Sequence, residues 1–115
     1  MFNMGIFDYF KKTAYLYHGT RLENIPQIQT EGLDPKYFTS EVVFLSDSSG
    51  FSAFWGGLEA LLRVKKDDLN PDLLRKSIRY ESEYQYAGII PPELLVIRKV
   101  SLNKTSGELE LTPVS

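Results

Sequence analysis

The sequence predicts an α+β domain built mainly on an antiparallel sheet, with a few short helices. Three observations carry this expectation. Short runs of β-forming residues, among them EVVFLS (41–46) and SEYQYAGII (82–90), recur between turn signals. Helix signals cluster in the first half of the chain. Strand runs then follow one another instead of alternating with long helices, the order that disfavours a parallel sheet.

Each element has a local reason. Phe2, Ile6, Phe7 and Phe10 fall at helical spacing, which predicts an N-terminal helix docked on the domain by one apolar face. Ala14–Tyr17 reads as a strand leading into His18-Gly19-Thr20. Asn24 is placed to cap a helix, with Pro26 in the first turn, Gln27 at the capping-box position and Gly32 as the stop. Ile25 and Ile28 would face the core, and Leu33 would close the helix end. EVVFLS is the next strand, followed by a turn through Ser46–Gly50.

Ser48 or Ser49 would cap a short helix over SGFSAFW, which Gly56-Gly57 ends before a strand in LEALLRV (58–64). KKDDLNPDLLRKS (65–77) reads as a polar connector, with a helical turn at Asn70-Pro71. SEYQYAGII is a strand broken by Pro91-Pro92, and ELLVIRKVSL (93–102) is another. NKTSG then turns the chain into ELELT, giving a C-terminal hairpin.

Composition narrows the function classes. At 115 residues the chain is one domain, and its 43% hydrophobic content suffices for a packed core. There is no cysteine, so no disulfide framework, thiolate metal site or cysteine nucleophile is available. With a single histidine a zinc site would need mostly carboxylate ligands, and no metal is expected. A net charge of -2 lacks the basic surplus of a nonspecific nucleic-acid binder. The apolar runs are too short to span a bilayer, and the N-terminus does not read as a secretory signal, so a cytoplasmic protein is expected.

The lone histidine, His18, stands at a strand end, where taken alone it reads first as a structural cap. Its neighbourhood, YHGTRLENIPQIQTEGLDP, combines a strand, His-Gly-Thr and a helix closing on Gly-Leu. VVFLSDSSGFSAFW adds a strand followed by Ser52-Ala53 and, two residues later, Trp55. SEYQYAGIIPPELLVI opens with Glu83-Tyr84 on a strand that runs to a proline turn. In this order the three blocks resemble the catalytic domain of the ADP-ribosyltransferase superfamily, in its histidine-type branch close to the poly-ADP-ribose polymerase core. The likeness spans residues 15 to 98.

That resemblance implies an ADP-ribosyltransferase-like fold with a split antiparallel sheet, and an enzyme that cleaves the nicotinamide–ribose bond of NAD+. ADP-ribose would pass to a protein or nucleic-acid acceptor. Such a site needs an anion near an oxocarbenium-like ribose and a clamp on the leaving group, rather than many proton transfers. Glu83 would be the catalytic carboxylate; a solvated strand glutamate is its bland alternative in a chain with 15 acidic residues. His18 would hydrogen-bond the adenosine ribose.

Gly19 would offer its backbone to the nicotinamide carboxamide, joined by the Ser52 hydroxyl, while Thr20 completes the motif. Trp55 would stack on the nicotinamide ring, and Phe44 stands where relatives often carry tyrosine. Arg21 is placed to approach the pyrophosphate as a bidentate donor. Glu81, two residues before Glu83, would share its face if both lay in a strand, and would engage the acceptor. Turn, cap and core roles stay open for these residues one by one.

Two other readings compete. RNA 2'-phosphotransferases also carry His-Gly-Thr, but rely on several arginines, whereas only Arg21 lies near the motif. A non-enzymatic module that binds NAD+ or ADP-ribose on the same scaffold is the other.

Overall fold

Leu16, Leu62, Ile90, Val43 and Val64 are the largest fully buried side chains among the described residues; all but Ile90 come from strands of one sheet, Leu62 and Val64 from the same strand. The computed structural model describes residues 14–47, 59–102, 105–107 and 109–114. The expected N-terminal helix and the SGFSAFW helix with its Gly56-Gly57 stop lie outside the described residues.

The strands are β1 (Tyr15–Thr20), β2 (Val43–Ser46), β3 (Ala60–Lys65), β4 (Leu74–Lys76), β5 (Glu83–Tyr86), β6 (Val96–Leu102) and β7 (Leu109–Pro113). They form one seven-stranded sheet in the order β4-β5-β2-β1-β3-β6-β7, and every pairing is antiparallel. The α+β expectation therefore holds, with the C-terminal hairpin of β6 and β7 in place. No helix among the described residues is long and apolar enough to cross a membrane.

The pairing is uneven. β1 and β3 match at six positions from Tyr15–Lys65 to Thr20–Ala60. By contrast, β1 meets β2 at a single position, Tyr17 with Ser46. The centre of the sheet is thus almost unstitched, with β4-β5-β2 on one side and β1-β3-β6-β7 on the other. Strand alternation sends Leu16, Val43, Leu45, Leu62 and Val64 to one face, where they form the main core. Helix α1 (Ile25–Glu31) adds Ile25 and Ile28 to that core. The core is shared by both halves of the sheet, with Val43, Leu45 and Tyr86 from one and Leu16, Leu62 and Val64 from the other, and truncating such a buried leucine costs about 2–5 kcal/mol.

Several local expectations need correction. The first strand does not stop at Tyr17: His18, Gly19 and Thr20 extend it because β3 supplies partners in Leu62, Leu61 and Ala60. Asn24 does not cap α1 with its side chain. A 3-10 turn over Leu22–Asn24 precedes the helix and already takes the Ile25 N–H on the Leu22 carbonyl. Asn24 instead donates Nδ2–H to Thr20 Oγ1 at 3.1 Å, and Gln27 donates to Glu31 Oε2 at 3.4 Å, so no capping box closes.

Gly32 does end the helix, at φ +78°, with its N–H on the Ile28 carbonyl. The polar connector contains an edge strand, β4, which pairs with β5 from Leu74–Tyr86 to Lys76–Tyr84. Its Asn70-Pro71 step does turn, with Leu73 N–H on the Asn70 carbonyl at 3.0 Å. The strand expected over 82–90 is shorter: β5 ends at Tyr86, and Ile90 forms an isolated bridge with Leu33. Pro92–Leu94 is a 3-10 turn, so the following strand starts only at Val96.

Candidate functional site

The unstitched centre is where the candidate residues gather. Beyond the Tyr17–Ser46 pair, β1 and β2 no longer exchange ladder bonds, and the backbone groups there need other partners. His18 supplies one: its Nδ1 lies 2.7 Å from the Phe44 carbonyl. A carbonyl only accepts, so Nδ1 carries the proton and Nε2 of the neutral ring is an acceptor. The Phe38 ring meets the imidazole edge-on, with centroids 5.4 Å apart. Burial pushes the His18 pKa below its ordinary value, and the Phe44 hydrogen bond opposes this less strongly. His18 is therefore neutral near pH 7 and offers a ligand hydroxyl an acceptor at Nε2.

This has a measurable consequence. Below about pH 6.5 the unfolded chain takes up a proton on His18 while the native state refuses it. Stability therefore falls as pH drops from about 6.5 toward the lower folded pKa. In urea titrations the midpoint of the parent protein will fall more steeply over this window than that of His18→Gln. Parallel pH profiles for the two proteins would contradict the burial of a neutral ring.

Glu83 is the first residue of β5, opposite Ser46, and is only 6% exposed. Its carboxylate is not bare. Arg79 Nη2 donates to Oε2 at 3.0 Å and lies 3.2 Å from Oε1. The Arg79 guanidinium also lies over the Phe44 ring at 5.2 Å and against the Tyr80 ring at 5.1 Å. Hydrogen bonding to Glu83, and then its charge, raise the Arg79 pKa further.

The loop that carries Arg79 is closed by its own bonds. Ser77 N–H donates to the Glu83 carbonyl at 2.8 Å, and Glu83 N–H donates to the Tyr80 carbonyl at 3.2 Å. Ser77 Oγ accepts from Arg79 N–H at 3.0 Å.

Phe44 is the common member. Its carbonyl holds His18 from one side, while its ring supports Arg79 above Glu83. Alternation along the paired strands puts Glu83, Ser46 and Tyr17 on the face away from the main core, and His18 on the core side. The imidazole and the Glu83 carboxylate are linked through Phe44 and make no direct contact. Gly19 lies in β1 opposite Leu61. Thr20 is buried, and its hydroxyl is engaged by Asn24. It lines a cavity of about 280 Å³ with Asn24, Gln27, Asp34, Tyr37 and Phe38. His18 does not line that cavity, but Phe38 of its wall is the ring that meets the imidazole.

Other expected residues fare differently. Arg21 is exposed at the entry to the 3-10 turn, where its carbonyl accepts from Asn24 N–H. Glu81 precedes β5 in a turn, so it does not share a strand face with Glu83. It lines instead an open cavity of about 470 Å³ with Asp47, Lys76, Tyr80 and Ser82. Ser52 and Trp55 lie outside the described residues. Among the described residues no three histidine, aspartate or glutamate side chains gather where they could hold a metal.

Arg79 is the residue sequence reasoning missed. Its signal was present as the opposite charges four residues apart in RYESE. No known family model matches the chain, and no curated protein matches its sequence.

Proposed function

We propose that this chain is an NAD+-dependent ADP-ribosyltransferase, cleaving the nicotinamide–ribose bond and passing ADP-ribose to a protein or nucleic-acid acceptor. The observation that carries this reading is a buried carboxylate, Glu83, set beside the unstitched centre of an antiparallel sheet. The resemblance implies a split sheet with its catalytic glutamate opening a strand, and Glu83 opens β5. Neutral His18 suits the role of accepting a ribose hydroxyl proton in a hydrogen bond. The open cavity beside Glu81 is a place for the acceptor. A cytoplasmic location belongs to the same reading.

In the reaction the bond between ribose C1' and the nicotinamide nitrogen breaks and its electron pair leaves with nicotinamide. Glu83 stabilises the cationic ribose, and an acceptor nucleophile forms the new bond at C1' and loses its proton. Arg79 now occupies the carboxylate that the ribose would need. It must swing aside, and the cost of leaving the buried Glu83 carboxylate without that partner is offset only when a ribose hydroxyl takes its place. Arg79→Gln will therefore lower the KM for NAD+ by roughly two- to fivefold.

The decisive assay follows nicotinamide release and label transfer from adenosine-labelled NAD+ in a cell lysate. Release above the buffer rate supports the enzyme reading. Saturable NAD+ binding without release favours the binding module, a reading that the Arg79 clamp on Glu83 specifically supports. Removal of a 2'-phosphate from RNA with no action on NAD+ would replace both by the phosphotransferase alternative.

A further inference from the structure

On the sheet face that carries Glu83, alternation continues across β1, β3 and β6. Tyr17 pairs with Arg63, Arg63 with Val96, and Leu61 with Arg98. These five residues and Leu111 of β7 line a groove of about 190 Å³. Its floor is aliphatic, and its charged groups are two arginines. Arg63 and Arg98 are diagonal neighbours on one face, which places their Cα atoms roughly 7–8 Å apart.

Both are cations that an anion on this face would stabilise. Among the described residues no carboxylate pairs with either one. Arg98 donates Nη1–H to the neighbouring Ile97 carbonyl at 3.0 Å. The Arg63 guanidinium lies over the Tyr15 ring at 4.3 Å, and its Nε is buried with no hydrogen-bond partner among the described residues. A buried donor left unmatched costs about 1–3 kcal/mol. On β7, Glu110 opposes Ser101 and so alternates away from the groove, while Leu111 opposes Val100 and faces it.

Two arginines without a carboxylate partner among the described residues, an orphaned donor and an apolar floor are explained together by one missing chemistry. We propose that this groove binds a small oxyanion, a phosphate or carboxylate group carried on a short apolar body. The oxyanion sits between Arg63 and Arg98, and accepts from the Arg63 Nε–H that has no partner among the described residues. Its apolar body rests on Leu61, Val96 and Leu111 beside Tyr17. The two arginines are separate from the Glu83 site: β1 and β2 intervene between Arg63 on β3 and Glu83 on β5, about 14–15 Å, although Tyr17 on the groove's near wall is only two strands, about 9–10 Å, from β5. The groove stands whether or not the chain acts on NAD+.

Phenyl phosphate and benzoate are the probes, titrated calorimetrically into the full chain at fixed ionic strength, with phenol as the uncharged control. Saturable binding of phenyl phosphate or benzoate, but not of phenol, is expected. The tighter of the two tells whether the site serves phosphates or carboxylates. Arg98→Gln removes an exposed side chain and is expected to weaken binding tenfold or more, as loss of a charge-assisted hydrogen bond does. Arg63→Lys keeps the charge, loses the Nε donor and should also weaken it. Arg79→Gln, at the other site, should leave the affinity unchanged. The proposal is overturned by absent saturation, by equal affinity for phenol, by an unchanged affinity in Arg98→Gln, or by loss of binding in Arg79→Gln.

Discussion

Gly32→Ala will destabilise the domain by roughly 3–5 kcal/mol, a large part of the stability a small domain possesses. Gly32 ends α1 at φ +78° and ψ -164°, a region that side-chain-bearing residues scarcely enter. A β-carbon there would sit inside the van der Waals envelope of the Ile90 carbonyl oxygen, against backbone rather than a yielding side chain. That oxygen cannot retreat. It accepts from Leu33 N–H at 2.9 Å, while Ile90 N–H returns a bond to the Leu33 carbonyl at 2.8 Å.

Ile90 itself is wholly buried in the main core. Relief of the clash therefore breaks the bridge that ties the helix end to the segment before Pro91. Urea denaturation of Gly32→Ala beside Asp34→Ala gives the scale. Asp34 caps the next 3-10 turn by accepting from Lys36 N–H, and its loss should cost only about 1 kcal/mol. A Gly32→Ala shift no larger than that of Asp34→Ala would show that the close approach to Ile90 is wrong.

Glu83→Gln is expected to reduce nicotinamide release by roughly 10²–10³-fold, the scale seen when one electrostatic stabiliser of a transition state is removed. Glutamine keeps the shape and an acceptor oxygen but not the charge, so affinity for NAD+ should change far less than kcat. Because the Arg79 side chain is about 60% exposed, its lost ion pair will alter stability little. Single-turnover release, measured with a melting curve of the same sample, separates chemistry from folding. Release at the parental rate in a folded Glu83→Gln protein would remove Glu83 from the mechanism and with it the proposed reaction.

What the sequence made legible was the strand content, and what it hid was pairing. EVVFLS and ELLVIRKVSL announced strands through their own residues. Leu74–Lys76 did not, since three residues inside a charged stretch become a strand only because β5 offers an edge. The capping box around Asn24 failed for a related reason: the preceding 3-10 turn had already engaged the N–H that opens α1. Glu83 and His18 were visible as residue types in suggestive places. Arg79 was not, because its importance comes from a loop folding back over Phe44, a contact that no local pattern encodes. The Arg63–Arg98 diagonal likewise exists only once β3 and β6 are in register.

The single Tyr17–Ser46 pair has a further meaning for how the molecule comes apart. Backbone ladders usually make neighbouring strands open together, yet here almost no ladder crosses the middle. The cooperativity that joins the two halves must come from outside that ladder: the shared side-chain core, the His18–Phe44 bond and the backbone bridge between Leu33 and Ile90. Amide exchange should accordingly divide the sheet into two protection classes, β1-β3-β6 and β2-β5, opening as separate units under native conditions. The seam between them is a natural hinge line, so a ligand that touches both strips would act as a splint.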